Sequence, residues 1–306
     1  MSKTAFIYPG QGAQKCGMGV DFYQNSEIAK EIYDQADACL EFDLKTLCFE
    51  KNEMIHKTEY TQPAMVATSL AMTRVLMDLG LEPDITAGLS LGEYAAIAVA
   101  GGMKDLDAVW LVRKRGILMQ SVVPEGVGTM CAILGMEAAD VEKVLSEVDG
   151  ATIANYNCPG QIVITGKTES VQEAAELLKN AGARKTMPLK VSGPFHSPLL
   201  FPAGEKLREE IDKIAIQPLQ IPYVANVTAQ KTEEKDQICD LLCKGLYSSV
   251  KWQQSVENMI LDGVDTFIEI GPGKTLTQFV KKINPDVSTY NVSRWEDIQK
   301  VTGELC

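Results

Sequence analysis

The sequence places one serine in a setting that is typical of a catalytic nucleophile. Ser90 is the central residue of the G-x-S-x-G motif at 88–92, which lies between a short apolar segment and an alanine-rich segment predicted to be helical. In a nucleophile elbow the two glycines allow a strained turn from strand to helix, which holds the serine hydroxyl clear of the backbone. The N–H of Leu91 would then lie at a helix start, free to bind an oxyanion. The alternative is a tight turn with an incidental serine.

A serine hydroxyl needs a general base, and the sequence contains two histidines. His56 lies in a mixed polar stretch and is predicted to be exposed to solvent. His196 precedes Ser197 and Pro198, residue types that are typical of an N-cap and of the first helical position. The positive end of that helix would disfavour the imidazolium and keep the ring available as a base. His196 is therefore the candidate base, and a structural histidine within a loop is the alternative.

Arg115 is the third unusual residue, because it lies on the apolar face of a helix predicted over 105–122. Its neighbours at three, four and seven positions are Ala108, Leu111, Val112, Leu118, Met119 and Val122. A guanidinium on such a face is costly without a partner anion. Either a protein carboxylate or a substrate carboxylate satisfies it. The spacing alone favours the protein carboxylate, since most buried arginines are paired internally.

Alternating strands and helices must position these side chains. Short apolar strands with helices between and after them are predicted at 4–8, 85–87, 224–227 and 266–270. This alternation predicts an α/β fold with a parallel sheet core. The middle of the chain reads β-α-β-β-α-β, from 129–134 to 184–191, which is the ferredoxin-like order. We therefore expect a ferredoxin-like small domain at 126–196, inserted into a large discontinuous domain at 1–125 and 197–306.

Length and composition exclude several classes of protein. The chain has 306 residues, of which 45% are hydrophobic and 23% charged, as is typical of a globular protein with a sizeable core. The net charge of −12 argues against nucleic acid as a partner, because the phosphates would be repelled. No apolar run approaches a membrane span, and the N-terminus lacks the features of a signal peptide. We therefore expect no membrane partner and a cytoplasmic location.

Neither a metal nor a nucleotide cofactor is predicted. The eight cysteines form no C-x-x-C pair, and two histidines cannot complete a zinc-ligand set. Reduced cysteines, mostly in the core, are the expected arrangement. Two glycine-rich segments resemble phosphate loops but are incomplete. Lys15 stands where G-x-G-x-x-G needs its third glycine, and Ile268 stands where a Walker loop needs its first.

Six segments, spread in order along the whole chain, resemble the malonyl-CoA:acyl carrier protein transacylase family. They are 8–14 (YPGQGAQ), 88–94 (GLSLGEY), Arg115-Gly116 with Met119-Gln120, 155–166, 195–198 (FHSP) and 269–273 (EIGPG). The resemblance implies an α/β-hydrolase-like large domain with an inserted ferredoxin-like lobe. It also implies a ping-pong transfer of a malonyl group from malonyl-CoA to acyl carrier protein, for fatty acid or polyketide synthesis. Malonyl-CoA is then a substrate, and no cofactor is implied.

The resemblance assigns catalytic roles to five residues. Ser90 would attack the malonyl thioester after His196 takes its proton. The backbone N–H groups of Gln11 and Leu91 would form the oxyanion hole. Family members orient the histidine with a main-chain carbonyl, and the position that matches it in this sequence is Lys251.

The resemblance also implies a substrate pocket. Arg115 would bind the malonyl carboxylate as a bidentate, charge-assisted pair, which a planar guanidinium does better than a lysine. Met119 and Phe195 would belong to the same pocket, and Phe195 accompanies malonyl rather than α-methylated substrates in the family. The sequence departs from the family at Leu89, where histidine is usual, and at Pro194, where alanine is common. The departure at Leu89 leaves the finer acyl preference open.

Two other functions remain compatible with the sequence. A serine hydrolase or thioesterase would use the same elbow with water as the acceptor, and Arg115 argues against it. A docking module for carrier proteins would have kept the fold and lost the chemistry, and the intact Ser90 and His196 argue against it. Acyl carrier proteins are acidic, as this chain is, so docking would need a local basic rim near the pocket. The candidates for this basic rim are Arg184, Lys185, Lys190, Lys281 and Lys282.

Overall fold

The structure is a computed structural model that describes residues 2–191 and 193–305. These residues form ten strands and thirteen α-helices. The strands are β1 (Lys3–Tyr8), β2 (Ile85–Gly88), β3 (Gly128–Leu134), β4 (Ala151–Cys158), β5 (Gln161–Lys167), β6 (Lys185–Pro188), β7 (Tyr223–Val224), β8 (Lys231–Thr232), β9 (Val264–Ile270) and β10 (Ser288–Val292). The helices are α1 (Val20–Asn25), α2 (Glu27–Cys39), α3 (Leu44–Phe49), α4 (Thr58–Asp78), α5 (Gly92–Val99), α6 (Asp105–Ser121), α7 (Ala138–Leu145), α8 (Thr168–Asn180), α9 (Phe201–Ile211), α10 (Ile238–Gly245), α11 (Trp252–Leu261), α12 (Thr275–Ile283) and α13 (Asp297–Leu305).

The larger of two sheets has the spatial order β10-β9-β1-β2-β7-β8. Its first five strands are parallel, and β8 pairs with β7 in the antiparallel direction at one edge. Helices α4, α5 and α6 pack on one face, and α11 and α12 pack on the other. Strands β1 and β2 lie at the centre and are nearly all apolar, because both faces of the sheet are covered. The predicted α/β fold with a parallel sheet is confirmed.

The smaller sheet is antiparallel and has the spatial order β4-β5-β3-β6. Its strands alternate with α7 and α8 in the predicted order β-α-β-β-α-β. The two helices form a separate apolar core with the sheet, to which Ile133, Val141 and Ile164 contribute. The last strand ends at Pro188, three residues before the predicted end.

Strand β4 connects the smaller sheet to the rest of the molecule. The N–H of Tyr156 donates to the carbonyl of Val250 (2.9 Å), and the N–H of Val250 donates to the carbonyl of Ala154 (2.8 Å). The hydroxyl of Ser249 donates to the carbonyl of Ile153 (2.6 Å). These bonds attach the edge of β4 to the segment that immediately precedes α11. The smaller sheet is therefore held, mainly by backbone hydrogen bonds, to the part of the chain that packs on the larger sheet.

Helix α4 contains a proline in its second turn. Proline usually breaks the helical hydrogen-bond ladder, yet this helix begins at Thr58 and continues past Pro63. Proline lacks the N–H that would bond to the carbonyl four residues before it, which is that of Glu59. This carbonyl instead accepts a hydrogen bond from Nη1 of Arg113 on α6 (2.9 Å). The side chain of a neighbouring helix therefore replaces the bond that Pro63 cannot make.

The described cysteines form no disulfide bond. Seven cysteines are free, and four of them, Cys48, Cys131, Cys158 and Cys243, are buried. The eighth, Cys306, lies outside the described residues.

Within residues 2–191 and 193–305, none of the helices combines the length and the apolarity that crossing a membrane requires.

Candidate active site

Ser90 lies in the turn from β2 to α5, at the carboxyl edge of the larger sheet. Its φ of 52° is in the left-handed region, which costs a non-glycine residue about 1 kcal/mol or more. The two glycines of the motif are required by close packing. A Cβ on Gly88 would lie 1.9 Å from the carbonyl carbon of Gly92, and a Cβ on Gly92 would lie 2.1 Å from the carbonyl oxygen of Tyr8. The predicted strand, sharp turn and helix are all present.

His196 contacts the Ser90 hydroxyl directly. The distance between Ser90 Oγ and His196 Nε2 is 2.8 Å, and His196 Nδ1 lies 2.8 Å from the carbonyl oxygen of Gly245. Because a carbonyl can only accept, Nδ1 carries the proton and Nε2 is left to accept a hydrogen bond from Ser90. The structure therefore brings together a serine hydroxyl, an imidazole nitrogen that can accept its proton and a carbonyl that orients the imidazole, which is the arrangement that activates a nucleophile.

The prediction that Lys251 supplies the orienting carbonyl is wrong. Lys251 is the N-cap residue of α11, and its carbonyl accepts hydrogen bonds from the N–H of Ser255 (2.9 Å) and from its hydroxyl (2.8 Å). An N-cap carbonyl closes the first helical turn and is therefore already occupied. Gly245 is the last residue of α10, where helix carbonyls lack partners within the helix. Its carbonyl is available to His196 for that reason.

Burial keeps the His196 ring neutral. The residue is 5% exposed, and burial, followed by the positive charge of Arg115, lowers the pKa of His196 to about 4. Ser197 does not cap a helix as predicted. It precedes a short 3-10 turn at Pro198–Leu200, and its hydroxyl donates to the carbonyl of Pro194 (2.7 Å). The expected preference for neutral imidazole is present, and desolvation is its largest cause.

Arg115 reaches the Ser90 hydroxyl from α6. Its side chain is almost fully buried, and its Nη2 donates to Ser90 Oγ (3.1 Å) while the guanidinium lies 5.4 Å from the ring centre of Tyr94. In the part of the chain that the structure describes, Arg115 forms no ion pair and its Nε has no hydrogen-bond partner. Arg113, two residues earlier, is paired with Glu59 (2.7 Å). The protein carboxylate that spacing favours for Arg115 is therefore not provided.

Ser90, His196 and Arg115 line one cavity of about 270 Å³. The other residues predicted for the site also line this cavity, except Lys251; they are Gln11, Leu91, Met119 and Phe195. Leu89, where the sequence departs from the family, is a lining residue too. The sulfur of Met119 accepts a hydrogen bond from Nε2 of the buried Gln62 (3.4 Å).

The smaller sheet and the segment after it form the opposite wall of the cavity. Eight of the lining residues come from this part of the chain, and they are Met130, Ala132, Asn155, Asn157, Gln161, Val163, Leu189 and Val191. Most are apolar, and three carry side-chain amides. A cavity lined by apolar groups with a few polar groups is typical of a small-molecule site.

Asn226 and Glu93 hold the turn that contains Ser90, and neither residue is part of a motif that marks it as functional. Asn226 follows β7, the strand beside β2, and its Oδ1 accepts a hydrogen bond from the N–H of Ser90 (2.7 Å). Its Nδ2 donates to the carbonyl of Gly88 (2.7 Å), and its N–H donates to Oε1 of Glu93 (3.2 Å). Burial raises the pKa of Glu93 to about 8. Glu93 could have been noticed as a charged residue at the start of the alanine-rich segment. Asn226 gave a weaker signal, as one polar residue in a segment predicted to be an apolar strand.

The glycine-rich segment at 271–273 does not form a phosphate site. The carboxylate of Glu269 accepts hydrogen bonds from the N–H groups of Leu276 (3.1 Å) and Thr277 (2.7 Å) in the first turn of α12. A carboxylate therefore already occupies the place that a phosphate would take at this helix N-terminus. Over residues 2–191 and 193–305, no group of three His, Cys, Asp or Glu side chains could hold a metal ion.

Comparison with known proteins defines the class of protein to which this fold and site correspond. A family model described as an acyl transferase domain matches residues 5–295. The chain therefore belongs to the acyl transferase family. The family resemblance carried by the six sequence segments is confirmed.

Individual relatives cover nearly the whole chain. The malonyl CoA-acyl carrier protein transacylase of Bacillus subtilis is 46% identical over 98% of this chain and 96% of the relative. A crystal structure of malonyl CoA-acyl carrier protein transacylase from Clostridium perfringens has a TM-score of 0.96 at 42% identity, with coverage of 99% and 97%. A malonyl-transacylase in complex with its type II PKS acyl-carrier protein has a TM-score of 0.96 at 36% identity, and the match covers 99% of this chain and 100% of that chain.

Proposed function

We propose that the protein transfers a malonyl group from malonyl-CoA to the phosphopantetheine thiol of acyl carrier protein, through an ester on Ser90. In the first half-reaction the Ser90 hydroxyl gives its proton to His196 Nε2 and attacks the thioester carbonyl. The C–S bond breaks, and CoA leaves as the thiol with that proton. In the second, the carrier thiol gives its proton to His196 and its sulfur attacks the carbonyl of the serine ester. The C–O bond to Ser90 breaks, and His196 returns the proton to Ser90 Oγ. The balance requires no cofactor.

One observation carries this proposal: the Arg115 guanidinium is hydrogen-bonded to Ser90 Oγ but forms an ion pair with none of the described carboxylates. A buried charge without a protein carboxylate is costly, and a substrate carboxylate in the same cavity offsets that cost. The malonyl group supplies such a carboxylate, and the 3.1 Å contact with Ser90 Oγ places the positive charge beside the nucleophile. Acyl groups without a terminal acid would leave Arg115 unpaired, so they should react more slowly.

Two backbone N–H groups are suited to stabilise the tetrahedral intermediate. Leu91 lies between Ser90 and the first residue of α5, where N–H groups have no partner within the helix. Gln11 lies in the loop after β1, and its side chain donates to Thr58 Oγ1 (3.0 Å), which fixes the loop against α4. Both residues line the cavity. Each donor of an oxyanion hole contributes about 3 kcal/mol in the transition state.

Met119 and Phe195 are proposed to shape the acyl end of the cavity. Both are buried apolar residues in its wall, on α6 and immediately before His196. Apolar walls keep water from the serine ester, which would otherwise be hydrolysed before the carrier arrives. Leu89, in the family position where histidine is usual, adds a further apolar contact at the nucleophile.

Intact-mass measurement tests the proposal directly. After incubation with malonyl-CoA, the wild-type protein should gain the mass of one malonyl group, and Ser90→Ala should gain none. Addition of a holo acyl carrier protein should remove the adduct from the enzyme and add the same mass to the carrier. An absent adduct, or one that survives Ser90→Ala, would overturn the proposal.

The same assay separates the two competing functions. A thioesterase would release free malonate faster than malonyl carrier protein, because water rather than a thiol would resolve the serine ester. A silent docking module would bind the carrier and form no adduct. The free Arg115 argues against the first, and the Ser90–His196 contact argues against the second.

The carrier is proposed to dock over the mouth of the cavity, at the basic rim formed by Arg184, Lys185, Lys190, Lys281 and Lys282. All five side chains are exposed. Lys190 lies between two residues that line the cavity, and Lys282 is one helical turn beyond Phe279, another lining residue. A local positive patch attracts an acidic partner even when the net charge is negative, because salt screens charges beyond about 8 Å.

The order of the elements supports a finer assignment of the fold. We infer that 126–196 is a ferredoxin-like domain inserted into a discontinuous α/β-hydrolase-like domain, 1–125 and 197–306. The β-α-β-β-α-β order and the separate apolar core support the first, and the serine between a parallel strand and a helix supports the second. Hydrogen exchange should find 126–196 opening as its own cooperative unit. A cytoplasmic location remains a prediction.

A further inference from the structure

Asn226 uses all four of its polar groups at the base of the nucleophile turn. Its Oδ1 accepts from the N–H of Ser90 (2.7 Å), and its Nδ2 donates to the carbonyl of Gly88 (2.7 Å). Its N–H donates to Glu93 (3.2 Å), and its carbonyl accepts from the N–H of Lys251 (2.9 Å). The residue is buried, so water does not compete for these bonds.

We propose that Asn226 is a positioning residue for acyl transfer, whose carboxamide bridges Gly88 and Ser90 and holds the serine in its left-handed conformation. The inference rests on the proposed function, because it assigns a role in the reaction of Ser90. Asn226 does not touch the reacting atoms, and it acts through the backbone of the nucleophile.

The geometry gives this bridge a specific effect. Gly88 and Ser90 flank Leu89, so the two amide hydrogen bonds fix the backbone on both sides of the residue before the nucleophile. Ser90 has a φ of 52°, which a serine does not prefer, and its Oγ must remain 2.8 Å from His196 Nε2. When the bridge is lost, the turn can relax toward an ordinary conformation and move Oγ away from the base. A misplacement of about 1 Å can lower a catalytic rate about 100-fold.

Asn226 is itself held from two sides. Its N–H is bonded to Glu93 on α5 and its carbonyl to Lys251 before α11, so the position of its side chain is set by backbone contacts. The turn that follows β7 has an independent support, since Nδ2 of Asn258 donates to the carbonyl of Ala229 (2.8 Å). Asn258→Ala is therefore a matched control, because it removes an amide bond to the same turn and leaves the bridge to Ser90 intact.

The first test compares Asn226→Ala with Asn258→Ala in the full chain. Single-turnover acylation by malonyl-CoA, followed by intact mass, gives both the rate constant and the fraction of protein acylated. We expect the rate constant of Asn226→Ala to fall about 100-fold, while the final acylated fraction and the KM for malonyl-CoA change less than about twofold. Asn258→Ala should keep the wild-type rate constant. A loss of acylated fraction at an unchanged rate constant would show a folding defect only and would overturn the proposal.

The second test uses the isosteric variant Asn226→Asp. The introduced carboxyl can still accept the Ser90 N–H, but only its protonated form can donate to the Gly88 carbonyl. The charged or titratable side chains around it are Glu93, Tyr94, Arg115, His196 and Tyr223. His196 and Glu93 both stay largely neutral between pH 5 and 7, since their pKa values are about 4 and about 8. The ratio of variant to wild-type acylation rate should therefore rise as the pH falls from 7 to 5, and a constant ratio would contradict the bridge.

A third measurement separates this inference from the proposed function. A fluorophosphonate labels an activated serine whatever acyl group the enzyme prefers, so its labelling rate at Ser90 reports positioning alone. If the wild-type protein forms no malonyl adduct, the proposed function fails, yet slower labelling of Asn226→Ala than of Asn258→Ala would still support the bridge. Equal labelling rates in these two variants would overturn it.

Discussion

Nη2 of Arg115 lies 3.1 Å from Oγ of Ser90, and no described carboxylate forms an ion pair with this guanidinium. The only positive charge in the cavity is thus next to the only hydroxyl that a base contacts, among the described lining residues. If Arg115 binds the acyl carboxylate and His196 activates Ser90, substitutions at these two residues should have different effects, the first on the choice of acyl group and the second on the acylation rate.

Arg115→Ala should lower kcat/KM for malonyl-CoA about 10- to 100-fold, because a hydrogen-bonded charge pair with the substrate is lost. The ratio of acetyl-CoA to malonyl-CoA activity should rise, since acetyl has no carboxylate to lose. Arg115→Lys should fall between the two, because it keeps the charge and loses the planar fork. Steady-state kinetics with both substrates checks this, and an unchanged ratio would remove Arg115 from substrate recognition.

The acylation rate should be insensitive to pH until far below neutrality. Burial and Arg115 lower the pKa of His196 to about 4, so the ring is neutral and able to accept a proton at higher pH. The single-turnover rate constant should stay level down to about pH 5 and then fall about tenfold per pH unit below about 4. Near-UV circular dichroism at each pH controls for unfolding. A midpoint near 6.5, the ordinary value for histidine, would show that the ring is solvated.

Glu93→Gln should stabilise the protein most at alkaline pH. Burial raises the pKa of Glu93 to about 8 in the folded state, so between its ordinary value of 4.5 and about 8 the folded state holds a proton that the unfolded state has lost. Stability from this group is present below pH 4.5 and is lost as the pH rises toward 8. The variant should gain on the order of 4 kcal/mol at pH 8.5 and little at pH 5. Urea unfolding measures the difference.

Glu209→Gln is the control for that experiment, because Glu209 is an exposed carboxylate. Its substitution should change the free energy of unfolding equally at both pH values. If Glu93→Gln shows the same flat behaviour, the folded-state pKa of Glu93 is close to its ordinary value.

Gly88→Ala should destabilise the fold by about 3 kcal/mol or more, since the added Cβ would lie 1.9 Å from the Gly92 carbonyl carbon and the backbone would have to move. Gly303→Ala provides the comparison. Gly303 lies exposed in α13 with no atom within 4 Å of an added Cβ, so alanine should stabilise by up to about 1 kcal/mol. Thermal or urea unfolding of the two variants distinguishes close packing from intrinsic propensity. A similar effect of both would show that the elbow tolerates a side chain.

Neutralising two residues of the basic rim, Lys190→Gln with Lys282→Gln, should raise the KM for acyl carrier protein about three- to tenfold. The KM for malonyl-CoA should change less, and the salt dependence of carrier turnover should weaken. Lys300→Gln, an exposed lysine on α13, is the control and should leave all three quantities unchanged. If the KM for acyl carrier protein is unchanged in the double variant, the carrier docks on another surface.

Much of the site was predictable because local sequence determines local geometry. The glycines of the elbow are needed where an added Cβ would lie about 2 Å from a backbone atom, so the G-x-S-x-G pattern by itself marks Ser90. Arg115 was visible as a charge on an apolar helical face. The β-α-β-β-α-β order follows from hydrophobic periodicity, which is also local.

Main-chain contacts were beyond the reach of that reasoning. Gly245 orients His196 with its carbonyl, and every residue has a carbonyl, so no side-chain type could reveal it. The family resemblance assigned this role to Lys251, but the carbonyl of Lys251 is used by the first turn of α11. Similarly, α4 begins before Pro63 because Arg113 from another helix bonds the carbonyl that the proline leaves free.

The sequence by itself therefore determined which residues are the candidates for the chemistry, namely the serine in the elbow, one of the two histidines and the charge on an apolar helical face. The tertiary structure alone decided which groups form hydrogen bonds or ion pairs with these residues. Asn226 meets Ser90 across 136 positions of the chain, because β7 and β2 are neighbours in the sheet. Whether Arg115 is paired with a carboxylate depends on which side chains fold around it. Such contacts are set by the packing of distant segments, which residue type and spacing do not encode locally.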